Sequence, residues 1–480
     1  MTTTEKHDLL IDGEFIPATS GERFVTLNPA TEEPITEVAA ADKEDIDRAV
    51  ESAHEAYPKW RSTAPEERGR LLTALAARIR EETDYLAELE TRDNGKPISQ
   101  ARSDVEGCAR YFEYYAGIAD KIHGDSIPLT DKYVDYTVRE PLGVTGQIIP
   151  WNFPVNLVGR TIAPALAAGN VAVAKPAEQT PLSALKIGEF ALEVGIPPGV
   201  LNVVPGFGAT AGASLAGHPD VNAISFTGSV VTGRQVAKLG ADNVTPVHLE
   251  LGGKSPNVVF PDADLDHALD ETITAIFATN AGQVCSAGSR LLVHESIHSE
   301  FVDRLATRAS ELTVGPGLED PDVGPLVSSD QHRKVREYVE IGREEVGDPI
   351  VGGKTPDHDG YFVEPTIFDD VDNSDRIAQE EIFGPVLSVI EFSDEREAFE
   401  LANDVDYGLV AGIFTSDVGR AHRFAHEMEA GQVYINEWFA GGVETPFGGY
   451  KQSGFGREKG LEAIESYTQV KNVCARIELE

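Results

Sequence analysis

Apolar positions along this chain recur at two different periods, and the period switches with position. Residues 8–38 carry short apolar runs broken at Asp12-Gly13 and Asn28-Pro29, a pattern of short strands and turns. From Asp42 the period becomes helical, with Ile46, Ala49, Val50, Ala53, Tyr57 and Trp60 on one face. Thr63-Ala64-Pro65-Glu66 carries a capping-box pattern with Pro inside the first turn. The helix it predicts has Leu71, Leu72, Leu75, Ile79, Leu86 and Leu89 on a single apolar face. A third packing helix is expected from about Ser99 to Ile118.

Tyr133 to Val138 alternates as an exposed strand does, and so does Tyr467 to Ile477. Two long edge strands need a partner. From Gly143 to Gly253 the pattern becomes strand, helix, strand, with short apolar runs at Val171 to Ala174, Leu201 to Val204 and Ala223 to Phe226 and a fourth, mixed run at Val247 to Leu251. Such alternation predicts βαβ units and a parallel sheet, in which ligands bind outside the carboxyl ends of the strands. Lys175, Gly206, Thr227-Gly228-Ser229 and Glu250-Leu251-Gly252 all fall at or near those ends. Past Gly253, a strand at Asn257 to Phe260 and an amphipathic helix from about Asp264 to Asn280 open a second α/β unit, which runs to about Gly449. Its further strands are expected at Arg290 to His294, Val386 to Phe392, Leu409 to Thr415 and Gln432 to Asn436, with helices such as Glu295 to Leu312 between them.

Composition adds limits. The 480 residues exceed one ordinary core, so at least two domains are expected. Hydrophobic residues at 41% and charged residues at 25% describe a soluble globular protein. No stretch approaches the ~20 apolar residues of a membrane span, and the opening Met1 to Asp8 lacks the apolar core of a signal peptide. Three cysteines, Cys108, Cys285 and Cys474, form no close-spaced metal or redox pattern and cannot all pair, which fits a reduced, cytoplasmic protein. The twelve histidines show no metal-ligand spacing, so no metal centre is indicated. Asp plus Glu number 80 against 40 Lys plus Arg, a net charge of −40 that repels nucleic acid and anionic membranes. That acidity is dispersed along the chain and fits a protein built for high salt, a halophilic one.

Two residues carry candidate chemistry. Glu250 lies in Leu249-Glu250-Leu251-Gly252-Gly253-Lys254 and Cys285 in Gly282-Gln283-Val284-Cys285-Ser286-Ala287-Gly288, with one strand and one helix between them. A strand and helix that fold back bring such residues face to face, a nucleophile opposite a general base. Taken singly, Cys285 reads also as a small buried hydrophobe and Glu250 as a solvated strand-end charge, although the neighbours of Cys285 give it little apolar cover. Gly206-Phe207-Gly208 opens a Gly-rich loop, weak alone. Phe226-Thr227-Gly228-Ser229, with Gly233 beyond, joins a strand to a helix, where free N–H groups and the helix dipole suit a pyrophosphate. An ordinary glycine turn is the competing reading.

These segments, together with Pro150-Trp151-Asn152-Phe153-Pro154, Lys175-Pro176-Ala177-Glu178, Glu380-Glu381-Ile382-Phe383-Gly384-Pro385 and Pro446-Phe447-Gly448-Gly449-Tyr450-Lys451, resemble in order the signatures of the NAD(P)-dependent aldehyde dehydrogenase superfamily. The resemblance spans essentially the whole chain. It implies a Rossmann-like parallel-sheet cofactor domain (1–122 and 142–252), a second α/β catalytic domain (253–450) and a β-strand oligomerisation arm (123–141 and 455–480). It implies Cys285 as nucleophile, Glu250 as the base that hydrolyses a thioester, and Asn152 with the N–H of Cys285 as oxyanion donors. Trp151, Lys175, Glu178, Gly206, Thr227, Gly228, Ser229, Gly233, Leu251, Glu381 and Phe383 would form the cofactor site. Lys175 and Glu178 would hold the adenosine ribose; a carboxylate there repels a 2′-phosphate, so NAD is expected over NADP. Glu381 and Phe383 would position the nicotinamide ribose and ring.

A small aldehyde is the implied substrate, and a homodimer or homotetramer the implied assembly. Arg160 is the one charge on the helix from Phe153 to Leu166. Superfamily members acting on acid semialdehydes often carry Arg at the matching position, whereas Thr161 stands here where Lys often follows. Pairing of Arg160 with the carboxylate of succinate or 2-oxoglutarate semialdehyde is therefore an expectation, against a salt bridge as the alternative. Trp438, Phe439 and Phe447 would form the apolar wall, which suits a neutral aldehyde equally. A CoA-acylating relative, or a binding protein that keeps the fold, are the rival classes; Glu250 argues against the first and the intact set of Cys285, Glu250 and Asn152 against the second.

Overall fold

The computed structural model describes residues 6–356 and 359–477. Residues 1–5, part of the opening read for a targeting segment, lie outside the described residues, as does the end of the expected arm at 478–480. Five parallel strands form the centre of one sheet, in spatial order Val247–Glu250, Ala223–Thr227, Val144–Ile149, Val171–Pro176 and Leu201–Val203. Counted along the chain this is fifth, fourth, first, second, third: the winding reverses between Val144–Ile149 and Ala223–Thr227. In a doubly wound sheet that reversal opens a crevice at the carboxyl ends. Val171 to Ala174 reads as an unbroken apolar run because helices cover both faces; every residue of Val171–Pro176 is buried. Leu9–Ile11 and Glu14–Ile16 extend one edge, and Gly454–Phe455 pairs antiparallel with Val247–Glu250 at the other.

A second sheet has six strands, all parallel, in the order Thr366–Phe368, Val386–Phe392, Arg290–His294, Pro256–Val259, Val410–Phe414 and Gln432–Ile435. Three of its strands are entered from the segments that carry the expected chemistry: Gly252 to Lys254, Gln283 to Cys285, and Glu381 to Phe383. The cleft therefore lies between the carboxyl ends of one sheet and the amino ends of strands in the other.

The arm is a separate sheet in which Tyr133–Pro141 pairs residue for residue with Thr468–Arg476, and Ser126–Ile127 adds a short third strand. Ahead of Thr468–Arg476, Gly454–Phe455 pairs with the first sheet and Lys459 lines the cleft. Tyr133, Val134, Tyr136 and Val470 are exposed on it. Among the described residues, no helix is long and apolar enough to cross a membrane.

Three local expectations change. The Thr63 hydroxyl donates to the Lys59 carbonyl and so closes the preceding helix, Lys43–Ser62, which leaves Ala64 at the start of the next without a side-chain cap. That helix, Pro65–Glu81, ends at Glu82, and Leu86 and Leu89 belong to a distinct helix, Thr83–Asn94. The helix expected to reach Asn280 is regular only over Leu265–Ile273; a widened turn follows at Thr274–Ala278.

Candidate active site

After the widened turn, Asn280, Ala281 and Gly282 all take positive φ, at 46°, 52° and 71°. This left-handed run turns the chain sharply and delivers Cys285 to the cleft. Strain of this kind persists only where surroundings enforce it, and the enforcing bonds are visible. The Asn280 amide donates to the Asn152 carbonyl at 2.8 Å, and the Asn152 amide donates to the Gln283 carbonyl at 3.0 Å. Asn94 holds the Trp151 carbonyl from behind. The strand exit that carries Trp151 and Asn152 is thus laced to the loop that carries the thiol.

Gly253 makes the other approach possible. A methyl group there would overlap the Cys285 carbonyl, and one at Gly252 would overlap the Glu381 carboxylate. Glu381 accepts the Gly253 N–H at 2.9 Å. Glycines in the Glu250 motif are needed because three chain segments meet there.

Cys285, Glu250 and Asn152 line one cavity of about 700 Å³ together with Trp151, Arg160 and Phe447. Burial pushes the Cys285 thiol up to about 12, against the pull of the nearby Arg160 guanidinium, so at neutral pH it is a protonated thiol that needs a base. Glu250 is 2% exposed. Burial raises its pKa, and a hydrogen bond from His248 opposes the rise. A carboxyl shifted towards neutral pH suits a general base.

At the crevice where the winding reverses, Thr227, Gly228 and Ser229 line the same cavity as Pro150 and Trp151. The structure refines their roles. Ser229 caps helix Val230–Asp242 through its hydroxyl, and the Gly228 N–H donates to the Glu250 carbonyl, so that N–H is already engaged. Gly233 is a packing glycine, since a methyl there would strike Leu251, which does line the cavity. Gly206 is also buried by packing, against the Ala41 carbonyl. Lys175 ends its strand buried, with Nζ 3.3 Å from the Glu178 carboxylate, and burial lowers its pKa. Glu381 and Phe383 line the cavity; the Phe383 ring meets Trp151 edge-on at 5.2 Å between centroids.

Arg160 lines the cavity, but its guanidinium is ion-paired with buried Glu458 and lies 4.4 Å from the centre of the Phe447 ring. A counter-charge of this kind is what a buried guanidinium requires. Trp438 is 3% exposed behind the wall, with its indole N–H on the Ser286 carbonyl, while Phe439 and Tyr434 face the cavity. Sequence reading missed His248, Tyr434 and Glu458. His248 had a signal, since residues two apart on a strand share a face with Glu250; Glu458 had none, because its partners are remote in the chain. A further grouping, His298 with Asp369 and Asp370, brings metal-ligand types together, none of which lines this cavity.

Residues 15–473 match the Aldehyde dehydrogenase family. The chain is 46% identical over 474 residues to a hydroxyisobutyraldehyde dehydrogenase of Mycolicibacterium austroafricanum, covering 98% of this chain and 94% of that one. It is 46% identical over 478 residues to a mitochondrial aldehyde dehydrogenase of Equus caballus, covering 98% and 95%. Its fold superposes on the NAD+ complex of an aldehyde dehydrogenase from Bacillus cereus with a TM-score of 0.98 at 43% identity, covering 99% of this chain and 98% of that one. With matches of this extent, and a thiol, a carboxylate and an amide facing one cavity, the chain belongs to the aldehyde dehydrogenase family.

Proposed function

We propose that this enzyme oxidises small neutral aldehydes to carboxylic acids with NAD. The observation that carries the reading is the meeting of Cys285, Glu250 and Asn152 in one cavity that continues to the crevice at Thr227 to Ser229. The donor set fits a dinucleotide: a helix N-terminus at Val230 for phosphate, Glu178 beside Lys175 for ribose hydroxyls, and Glu381 at the inner end. A carboxylate at Glu178 favours NAD over NADP, in line with the NAD+ complex of the Bacillus cereus relative. Bound NAD supplies the acceptor for the hydride that leaves the substrate carbon.

The chain's own residues do the rest. Glu250 takes the proton from the Cys285 thiol, and the sulfur bonds to the aldehyde carbon. The oxyanion that forms is held by the Asn152 amide and the Cys285 N–H. Once the carbon is oxidised, the acyl group remains as a thioester on Cys285. Glu250 releases the thiol proton to solvent and then takes one from water; the water oxygen bonds to the acyl carbon, the C–S bond breaks, the Cys285 sulfur takes the proton back from Glu250 and the acid leaves. The base in place favours water over CoA as the acceptor of the acyl group.

The pairing of Arg160 with Glu458 engages that guanidinium within the protein and so favours a neutral substrate, although Lys459 lines the same cavity as a second cation. The name of the Mycolicibacterium relative, a hydroxyisobutyraldehyde dehydrogenase, points the same way. The three free cysteines support action in a reducing compartment, the cytoplasm. The division into a cofactor domain, a catalytic domain and an arm, 1–122 with 142–252, 253–450, and 123–141 with 455–480, is part of the same reading. So is a homodimer or homotetramer joined through the exposed arm edges.

Cys285→Ala should abolish NADH formation from a short neutral aldehyde while NAD still binds. In the parent enzyme, kcat/KM should favour a neutral aldehyde over an anionic one of equal length, and Arg160→Ala should not weaken that preference. Turnover by Cys285→Ala would reject the mechanism; a preference for the anion that vanishes with Arg160 would restore the semialdehyde substrate.

A further inference from the structure

His248 and Glu250 sit two residues apart on the strand Val247–Glu250, so the pleat places both side chains on one face. His248 Nε2 and Glu250 Oε1 are 3.1 Å apart. His248 is 8% exposed and Glu250 2%, which makes their hydrogen bond charge-assisted and poorly screened. Two glycines seat the pair: a methyl on Gly456 would run into the imidazole, and one on Gly448 would come within 2.9 Å of Glu250 Oε1. Both have positive φ, +95° and +157°, so the backbone also excludes other residues there. The other carboxylate oxygen, Oε2, is buried with no hydrogen-bond partner among the described residues, and Glu250 lines the cavity.

We propose that His248 is a positioning residue for the general base: its imidazole pins Oε1, leaves Oε2 to receive the proton from water, and sets the pH at which acyl-enzyme hydrolysis turns on. This rests on the thioester reading of the reaction. With its hydrogen on Nε2 the imidazole donates to the carboxylate; burial lowers the His248 pKa, but the Glu250 hydrogen bond and the Glu458 and Glu250 charges raise it overall. When the base works, the water proton goes to Oε2, the oxygen bonds to the acyl carbon and the Cys285 sulfur leaves; His248 gains and loses nothing.

The charged and titratable groups facing the pair and its surroundings are Arg160, Glu458, Lys459, Tyr111, Tyr467 and Cys285. For Glu250, burial is the leading effect and raises the pKa; the His248 hydrogen bond and Arg160 lower it, and Glu458 raises it. Removing the imidazole removes a lowering influence. Glu250 then stays protonated to higher pH, and the acid limb of hydrolysis moves up.

The test uses p-nitrophenyl acetate, an activated ester that acylates a thiol without oxidation, so no cofactor enters. The first p-nitrophenolate burst reports acylation of Cys285, and the steady rate reports hydrolysis. His248→Leu should keep a burst of one equivalent, slow the steady rate about tenfold at neutral pH, the usual cost of a hydrogen bond to a charged group, and shift the acid limb upward. His248→Gln, which retains an N–H donor but does not titrate, should recover most of the rate. The Glu250 carboxyl band, identified by infrared difference against Glu250→Gln, should titrate at higher pH in His248→Leu than in the parent. An unmoved band midpoint, or an unchanged steady rate and limb in His248→Leu, overturns the proposal. If the burst is absent from the parent or survives Cys285→Ala, it is the thioester reading that fails, and the infrared titration still decides the role of His248.

Discussion

Asn152 shows how much a single side chain carries in this site. Its amide ties the exit of Val144–Ile149 to the Cys285 loop through the Gln283 carbonyl, and the same residue accepts from Asn280 through its own carbonyl. One of its two amide hydrogens is used in that bond, and the residue still lines the cavity, which leaves a donor for an oxyanion. Asn152→Ala is expected to lower kcat by ~10²–10³, the cost of one such donor. Circular dichroism checks that the fold survives, and a change confined to KM would assign the residue to ground-state binding instead. At this scale the sequence was readable where chemistry sits inside a short motif: Cys285, Glu250 and Asn152 all line the cavity they were expected to share. It was not readable where a side chain's state depends on a distant partner. Arg160 reads from the sequence either as a substrate cation or as half of a salt bridge, and only the fold supplies Glu458 as its counter-charge.

Period alone identified nearly every central strand among the elements, since a strand buried on both faces must be an apolar run. The failures came where a polar side chain had two possible backbone partners. Thr63 reads equally as a cap for the helix ahead and as a closing bond for the helix behind; its hydroxyl makes the second. The helix before Cys285 misled in the same way, because Asn280 and Ala281 continue a helical pattern while tertiary bonds hold them left-handed. Gly282 ends that run at φ 71°, and a methyl there would overlap the Gly384 and Ile276 carbonyls. Gly282→Ala is therefore expected to lower stability by ~1–3 kcal/mol, from the left-handed backbone cost alone, and to reduce activity further by displacing the loop. Denaturant unfolding and the labelling rate of Cys285 by an alkylating agent measure the two effects separately. A variant with parent stability and an unchanged labelling rate would show that the loop tolerates the strain, and that its shape is not what delivers the thiol.

Over the whole molecule the dominant quantity is the net charge of −40. Basic residues are already shared between acids: Arg80 bridges Glu106 and Glu113, Arg78 bridges Glu82 and Glu193, and Arg420 bridges Asp262 and Glu395. Exposed pairs of this kind contribute only ~0–1 kcal/mol each, and with 80 acids to 40 bases they leave a large uncompensated excess. That excess repels itself more in the compact state than in the expanded one, so it opposes folding. Salt shortens the range of the repulsion from ~10 Å at 0.1 M to ~3 Å at 1 M. We therefore expect the unfolding midpoint to rise steadily from dilute buffer to multimolar KCl. Potassium chloride is the salt to use, because sulfate strengthens apolar burial in any protein and would give the same trend for another reason. The arm gives a second reading of the same force. Association of two subunits of net charge −40 brings like charge together, so any oligomer should dissociate at low salt before the subunits unfold, which light scattering measures against circular dichroism. Equal thermal stability in dilute and multimolar KCl would reject adaptation to high salt and leave the acidity without a role in folding.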